Sequence, residues 1–276
     1  MDAYLWPALF AGLVAIGVTA AVERFGGLVG GLIGTLPSTI VPAALGIAAQ
    51  SPDEFQFQSA MFATAPGMLL NATFLWVWQV LPRRLPALSN GARFVGVLCA
   101  SLSVWALGAF GLSHLFQRVG SSWETAALAI LFTLGFGLFS VRRHPPSAPR
   151  PHSMGVVIWL VRGSAAGAAI AAAVWIAETG NGIVAGMAAV FPAIFLTTMV
   201  ALWWSHGSTM SAGTVGPMMI GSVSVSSFAF CAAFTFPYLG GFIGCLVSWG
   251  VAAGCVQLPL WFFVRKFLLP RTTEAV

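Results

Sequence analysis

Two stretches of this chain, Glu23–Pro37 (ERFGGLVGGLIGTLP) and Glu178–Pro192 (ETGNGIVAGMAAVFP), follow one pattern of glycine, valine and proline at an offset of 155 positions, from 23 to 178. Aligned without gaps, they share five identities: Glu23 with Glu178, Gly27 with Gly182, Val29 with Val184, Gly31 with Gly186, and Pro37 with Pro192. A second similarity follows each copy: Pro66-Gly-Met resembles Pro217-Met-Met at an offset of 151 positions, from 66 to 217. The pattern predicts an internal repeat.

The composition of the chain is that of a membrane protein. Of its 276 residues, 58% are hydrophobic and 7% are charged, whereas soluble domains carry about 25% charged residues. Apolar stretches of roughly 20 residues recur along the chain, which is the length a helix needs to cross about 30 Å of hydrocarbon. Because lipid offers no hydrogen-bond partner to an open backbone, these stretches are predicted to be helices.

The apolar stretches predict an all-α fold, a polytopic membrane helix bundle with about nine transmembrane helices. The predicted spans cover 3–22, 26–49, 59–81, 94–116, 123–141, 155–177, 182–204, 209–235 and 238–264. No basic region precedes the first span, so we interpret it as a transmembrane helix rather than a cleaved signal peptide. The eighth span is long and serine-rich, and we expect it to be bent or broken.

The basic residues give this count an orientation. With the N-terminus outside, ten of the 12 Lys and Arg residues face the cytoplasm: Arg24, Arg83, Arg84, Arg93, Arg142, Arg143, Arg150, Arg265, Lys266 and Arg271. This bias is typical of the positive-inside rule and predicts a cytoplasmic C-terminus, in the plasma (bacterial inner) membrane. Arg162, inside span six, is interpreted as an anchor reaching the cytoplasmic surface, or alternatively as a counter-charge for an anionic substrate.

A proline- and arginine-rich segment divides the chain near its middle. Residues 142–154 are predicted to form a cytoplasmic linker between a first membrane half, 1–141, and a second, 155–276. The two copies of the glycine motif then cross the membrane in opposite directions, which makes a 4+1+4 inverted repeat. A duplicated glycine-rich helix with a mid-helix proline resembles, in architecture alone, several inverted-repeat bacterial carriers.

The prolines of the repeated motif are the first candidate site residues. Pro37 and Pro192 lie about ten residues into their predicted helices, so each removes a backbone donor near the middle of the bilayer. A helix opened there offers free carbonyls to a cation and a partly positive helix end to an anion. The alternative is a packing kink that neighbouring helices satisfy, since proline is common in membrane helices.

Polar side chains near these prolines complete the predicted site. Glu23 and Glu178 either cap a helix or exchange protons with a coupling cation. Asn71 is the strongest individual candidate, because a buried amide is costly to leave unpaired, whereas hydroxyls in lipid commonly bond back to their own helix. The predicted substrate or ion pathway comprises Glu23, Thr35, Pro37, Ser38, Thr39, Asn71, Glu178, Asn181, Pro192, Thr197, Thr198, Thr214 and Ser222.

The pattern favours a small secondary transporter that moves a small solute or ion by alternating access around a midplane site. No nucleotide-binding loop is present, so a proton or sodium gradient, or the gradient of the solute itself, is expected to drive it. A channel, a lipid-handling protein and a non-catalytic subunit of a membrane complex remain as alternatives. An intramembrane enzyme is less favoured, since the spans contain no HExxH motif, aspartate pair or mid-depth histidine.

Other partners are few. No cofactor or metal is expected, because the four cysteines lie inside apolar spans without paired spacing. The net charge of +5 is spread over loops between spans, which argues against nucleic acid. The expected partners are the lipid bilayer and a small-molecule or ion substrate, and a homo-oligomer is compatible with the pattern.

Overall fold

The computed structural model describes residues 2–25, 36–143, 155–263 and 266, with the side chains at 2, 3, 18–25, 205, 206, 209 and 210 outside this description. It is 90% helix, and the described ranges contain no strand. Within these ranges, six helices are long and apolar enough to cross a membrane: Glu54–Arg84, Asn90–Val119, Trp123–Arg143, Val156–Glu178, Gly182–Trp204 and Ser211–Phe263. The chain is therefore an all-helical, membrane-integral protein.

Ten helical segments make up the described chain. They are α1 (Asp2–Phe25), α2 (Ile40–Gln50), α3 (Glu54–Arg84), α4 (Asn90–Val119), α5 (Trp123–Arg143), α6 (Val156–Glu178), α7 (Gly182–Ala189), α8 (Ala193–Gly250), a π-helical segment (Val251–Gln257) and α9 (Leu258–Phe263). The glycine-rich positions 26–35, with Thr35 among them, and most of the predicted linker, 144–154, lie outside the described residues.

Helix α3 lies at the centre of the bundle, and α4 lies at its edge. In the most apolar window of each helix, 72% of the residues of α3 are buried, against 11% for α4. Leu107, Phe110 and Val119 of α4 are exposed, as side chains facing lipid are. Helix α3 packs against α4, α5, α7 and α8, so its polar residues meet most of the bundle.

Glycines let α7 lie directly on α3. A Cβ atom at Gly182 would overlap the carbonyl oxygen of Gln56, and one at Gly186 would overlap that of Ala60. Small residues allow such close backbone approach between membrane helices. The contacts advance in the same direction along both helices, so α7 and α3 run parallel.

A second glycine contact joins α1 to α6. A Cβ atom at Gly12 would lie 3.0 Å from the carbonyl oxygen of Gly163, and one at Gly167 would lie 2.9 Å from that of Ala8. The contacts advance in opposite directions along the two helices. Helices α1 and α6 are therefore antiparallel.

Helix α8 reverses direction within its length. Its 58 residues would span about 87 Å if straight, but Gly207 and Gly240 have positive φ values of 81° and 74°. Beyond Gly240 the chain folds back, because the Thr235 hydroxyl donates to the Gly244 carbonyl oxygen at 3.1 Å and lies 2.8 Å from the Ser248 hydroxyl. Glycine adopts such left-handed conformations without steric cost. Gly207 falls in the predicted loop after span seven, 205–208, whereas Gly240 lies inside the predicted ninth span, three residues beyond the predicted loop 236–237.

Candidate functional site

A short stretch of irregular backbone separates α7 from α8. Helix α7 ends at Ala189, and α8 begins at Ala193 with Pro192 at its N-cap. The eight residues of α7 rise about 12 Å, so the interruption at Val190–Pro192 lies near the middle of the 23-residue apolar span Gly182–Trp204. Proline lacks a backbone donor, which explains why the helical ladder stops here. We call residues 190–192 the α7–α8 break.

Asn71 of α3 contacts this break. Its Nδ2 donates to the carbonyl oxygen of Val190 at 2.8 Å and to the sulfur of Met68 at 3.4 Å. Only 2% of Asn71 is exposed, and its Oδ1 has no hydrogen-bond partner among the residues that the structure describes. A buried acceptor without a hydrogen bond costs about 1–3 kcal/mol, so Oδ1 is able to accept a hydrogen bond from a ligand or to coordinate a cation.

An aromatic pair flanks the same break. The rings of Trp105 and Phe191 meet edge to face, with centroids 5.1 Å apart. The indole Nε1 of Trp105 is buried, and within the described ranges it too has no hydrogen-bond partner. Asn71, which has an unused hydrogen-bond acceptor, therefore contacts Val190. Trp105, which has an unused hydrogen-bond donor, contacts the next residue of the break, Phe191.

The matching proline of the first half also lies outside a helix. Pro37 is buried in a turn over 36–39, and α2 begins directly afterwards at Ile40. The backbone nitrogen of Ser38 donates to the Leu36 carbonyl oxygen at 2.7 Å, and its hydroxyl contacts the same oxygen at 3.4 Å. Thr39 occupies the N-cap of α2 but makes no side-chain capping bond. The turn at Pro37 and the α7–α8 break border one core, since Ile40 and Val190 belong to the same hydrophobic cluster.

Four of the predicted hydroxyls bond back to their own helix. Thr197 donates to the carbonyls of Ala193 and Ile194, Thr198 to that of Ile194, Thr214 to that of Ser211 and Ser222 to that of Met219, at 2.7–3.1 Å. This is the alternative role expected for hydroxyls in lipid. Thr198 also accepts a hydrogen bond from Arg162 of α6. Arg162 is 7% exposed, so its side chain lies inside the bundle rather than reaching the membrane surface.

Of the two matched carboxylates, the structure describes that of Glu178, which lies away from the break. Glu178 is the last residue of α6, is exposed, and accepts a hydrogen bond from the Tyr4 hydroxyl near the start of α1. Asn181 caps the following helix, because its Oδ1 accepts from the backbone nitrogen of Val184 at 3.2 Å. Glu23 lies in the last turn of α1, and its side chain is outside the described part of the chain.

Two buried amides, Gln79 and Gln257, escaped prediction. Gln79 is 1% exposed and joins three helices: its Oε1 accepts from the Ser140 hydroxyl of α5 at 2.8 Å, and its Nε2 donates to the Ala212 carbonyl oxygen of α8 at 3.4 Å. The signal was available, because Gln79 lies eight residues after Asn71 in the same apolar span.

The described residues contain no group of three or more histidine, cysteine or acidic side chains that could hold a metal ion, and the four cysteines are free thiols. The fold and the site together define the class of this protein: it is a membrane-integral helical protein with an interrupted helix at its centre. Comparison with known proteins gives no match to a protein family, a curated protein or a solved structure. The inference of function therefore depends on the site itself.

Proposed function

We propose that the protein is a small secondary transporter that moves a small solute or ion by alternating access across the α7–α8 break. In this proposal nine spans form a 4+1+4 inverted repeat with the N-terminus outside and the C-terminus in the cytoplasm of a bacterial inner membrane. The observation that carries it is the interrupted helix at mid-depth, with the buried Asn71 donating to the freed carbonyl of Val190 while its own Oδ1 stays available. Discontinuous helices form the binding sites of many secondary transporters.

The turns within α8 support nine spans. The apolar stretch Ser211–Phe263 has 53 residues, more than twice the roughly 20 that cross a bilayer once. It folds back at Gly240, so it supplies two spans. Two shorter apolar helices, Tyr4–Gly17 and Ile40–Gln50, lie within the first and second predicted spans.

The α1–α6 crossing supports the inverted repeat. An offset of 155 positions carries Ala8 to position 163 and Gly12 to position 167. A two-fold repeat therefore predicts that the contact of Gly12 with Gly163 is matched by a contact of Gly167 with Ala8. Both contacts are present, and a Cβ atom at Gly12 or Gly167 would lie 3.0 or 2.9 Å from the partner's carbonyl oxygen. The crossing point is centred on positions that the sequence repeat makes equivalent, as a pseudo-two-fold axis in the membrane plane requires.

The α3–α8 crossing gives the same result independently. The centroids of the Phe62 and Phe230 rings lie 6.1 Å apart. An offset of 151 positions carries position 62 to 213 and position 230 back to 79, so a two-fold repeat predicts a matching contact between positions 79 and 213. The observed contact is between Gln79 and Ala212, one residue away. Asn71 lies midway between Phe62 and Gln79 along α3, so it falls at the centre of this crossing.

Alternating access would then consist of one half rocking against the other about these two crossings. The contact between α1 and α6 brings the two backbones together at glycines, with the Ile16 side chain of α1 packed over Gly163, so the movement would turn about this close approach. The break lies at mid-depth, where a bound solute can be exposed to each side in turn. Asn71 Oδ1 would accept a hydrogen bond from the solute or coordinate a cation.

The test is uptake into proteoliposomes made with the purified protein, using a panel of small radiolabelled solutes and an imposed proton or sodium gradient. Asn71→Leu should abolish saturable uptake, because it removes the amide at the break. Thr73→Ala is the matched control, since Thr73 lies on the same helix and its hydroxyl bonds only to the Leu70 carbonyl at 2.7 Å. Uptake that is equally fast in both variants would reject the proposed site, and conductance without saturation would indicate a channel.

The coupling residues are tested in the same assay. Glu23→Gln and Glu178→Gln should alter the dependence of uptake on the gradient while the protein still inserts in the membrane. Asp53→Asn serves as a control, because Asp53 is an exposed helix cap that accepts from the Gln56 backbone nitrogen at 2.8 Å. Unchanged gradient-driven uptake in both glutamine variants would reject their role in coupling.

A further inference from the structure

A second polar feature lies at the ends of α3 and α5, away from the α7–α8 break. A cavity of about 330 Å³ opens between the two helices and is lined by Trp76, Gln79, Val80, Arg83, Arg84, Phe139, Ser140 and Arg143. Its volume lies at the lower end of the roughly 300–1,000 Å³ typical of small-molecule sites. Three of the eight lining residues are arginines, and none is acidic.

We propose that this cavity binds a phosphate-bearing anion, either the headgroup of an anionic phospholipid or a free phosphate compound. Arginine side chains recognise phosphate through paired N–H donors in a planar fork. Three arginine residues line one cavity, and their positive charges favour a bound anion there. This inference does not depend on the proposed transport activity.

The walls of the cavity suit an amphipathic ligand. Arg143 is held against the wall, with its guanidinium carbon 4.6 Å from the centre of the Phe139 ring. Trp76 and Phe139 are 38% and 45% exposed, so each also presents a face to the surroundings of the bundle.

The floor of the cavity is polar and fixed. Gln79 and Ser140 are both 1% exposed and are joined by a hydrogen bond of 2.8 Å, which links α3 to α5 beneath the arginines. A second cavity of about 280 Å³ lies on the other side of Gln79 and shares Arg83 in its lining. Arg93, which lines that second cavity, donates to the carbonyls of Leu85, Pro86 and Leu88, so its side chain holds the end of α3 instead.

Topology offers a competing explanation for these arginines. Basic residues are enriched at the cytoplasmic ends of membrane helices, where they also favour the negative end of the helix dipole. Arg142 separates the two explanations. It lies in the last turn of α5, as Arg143 does, and it is exposed, but it does not line the cavity.

The experiment compares Arg143→Gln with Arg142→Gln, with Arg84→Gln as a second cavity variant. Thermal unfolding of the purified protein in detergent would be followed against short-chain phosphatidylglycerol, short-chain phosphatidylcholine and inorganic phosphate. Phosphatidylglycerol or phosphate should raise the unfolding temperature of the wild type and of Arg142→Gln. The two cavity variants should need roughly tenfold or more ligand for the same shift, since each loses charge-assisted hydrogen bonds.

Each outcome decides the matter. A shift with phosphatidylglycerol alone identifies a lipid headgroup site, and an equal shift with inorganic phosphate identifies a site for a free phosphate compound. Both support the proposal. The absence of any shift with either anion, an equal shift with phosphatidylcholine, or an equal loss in Arg142→Gln would overturn it. Unfolding temperatures without ligand show whether each variant is folded.

Discussion

The side-chain nitrogen Nδ2 of Asn71 donates a hydrogen bond of 2.8 Å to the carbonyl oxygen of Val190, 119 positions further along the chain. The bond joins the central helix α3 to the α7–α8 break, where Pro192 ends the regular ladder. An interrupted helix in a membrane is stable only where neighbouring groups satisfy the freed backbone. Asn71 performs that task with one end of its amide and leaves the other end, Oδ1, available for a ligand.

This bond predicts a loss of stability in Asn71→Leu. The substitution keeps a side chain of similar length and leaves the Val190 carbonyl unpaired in the core, but it also removes the unpaired Oδ1, so we expect a net loss of only about 1 kcal/mol in the free energy of unfolding. Unfolding by denaturant in detergent measures it. Thr73→Ala is the control and should change little. A variant of Asn71 as stable as the wild type would show that the bond contributes nothing.

The contact between α7 and α3 predicts opposite effects for two glycine-to-alanine substitutions. Gly186→Ala places a Cβ atom into the carbonyl of Ala60, so the helices must separate, at a cost of about 1–3 kcal/mol. Gly135→Ala lies in α5 with nothing within 4 Å of the new atom, and it should stabilise the helix by about 0.5–1 kcal/mol. Thermal unfolding of both variants tests the packing. Equal shifts of the same sign would contradict it.

Substitutions of Gln79 and Ser140 should have non-additive effects on the free energy of unfolding. Their hydrogen bond of 2.8 Å is buried between α3 and α5. In a double-mutant cycle with Gln79→Leu and Ser140→Ala, either single change leaves a buried group unpaired, so the double variant should be less destabilised than the two single losses added together. We expect an interaction energy of about 0.5–3 kcal/mol from unfolding measurements. Strict additivity would indicate that the bond does not form in the membrane.

The nine-span topology predicts the location of two reporters. A reporter fused after Glu54 should be external, because it follows the second span, and one fused after Val276 should be cytoplasmic. A pair of fusions to alkaline phosphatase and green fluorescent protein at each site reads the two sides independently. Both reporters on the same side of the membrane would overturn the span count and, with it, the inverted repeat.

The sequence identified the prolines at which the backbone is irregular, but not the residues that pack against them. Pro37 and Pro192 could be identified because proline ends a helical ladder whatever surrounds it, and both lie outside helices in the structure. The cost of burying an amide singled out Asn71 as well. Its partner Val190 could not be found, since that pairing depends on how α7 lies on α3, and the decisive glycine contacts are between backbones.

Polar groups at the helix ends were harder to assign from sequence. The equivalence of Glu23 and Glu178 suggested helix starts, yet Glu178 ends α6 and its hydrogen bond comes from Tyr4 of a helix far away in sequence. Gln79 was overlooked because it has no counterpart in the repeated motif. Its importance comes from the meeting of three helices, which periodicity within one helix does not reveal.

The central claim is that the α7–α8 break is exposed to each side of the membrane in turn. Val190 is 5% exposed, so a cysteine there reacts only if the bundle opens. In a chain whose four native cysteines are replaced by alanine, Val190→Cys should react with a membrane-impermeant maleimide both in intact cells and in inside-out vesicles. Val97→Cys, at a core position of 0% exposure, should react in neither. Reaction of Val190→Cys from one side alone, or from neither, would contradict alternating access.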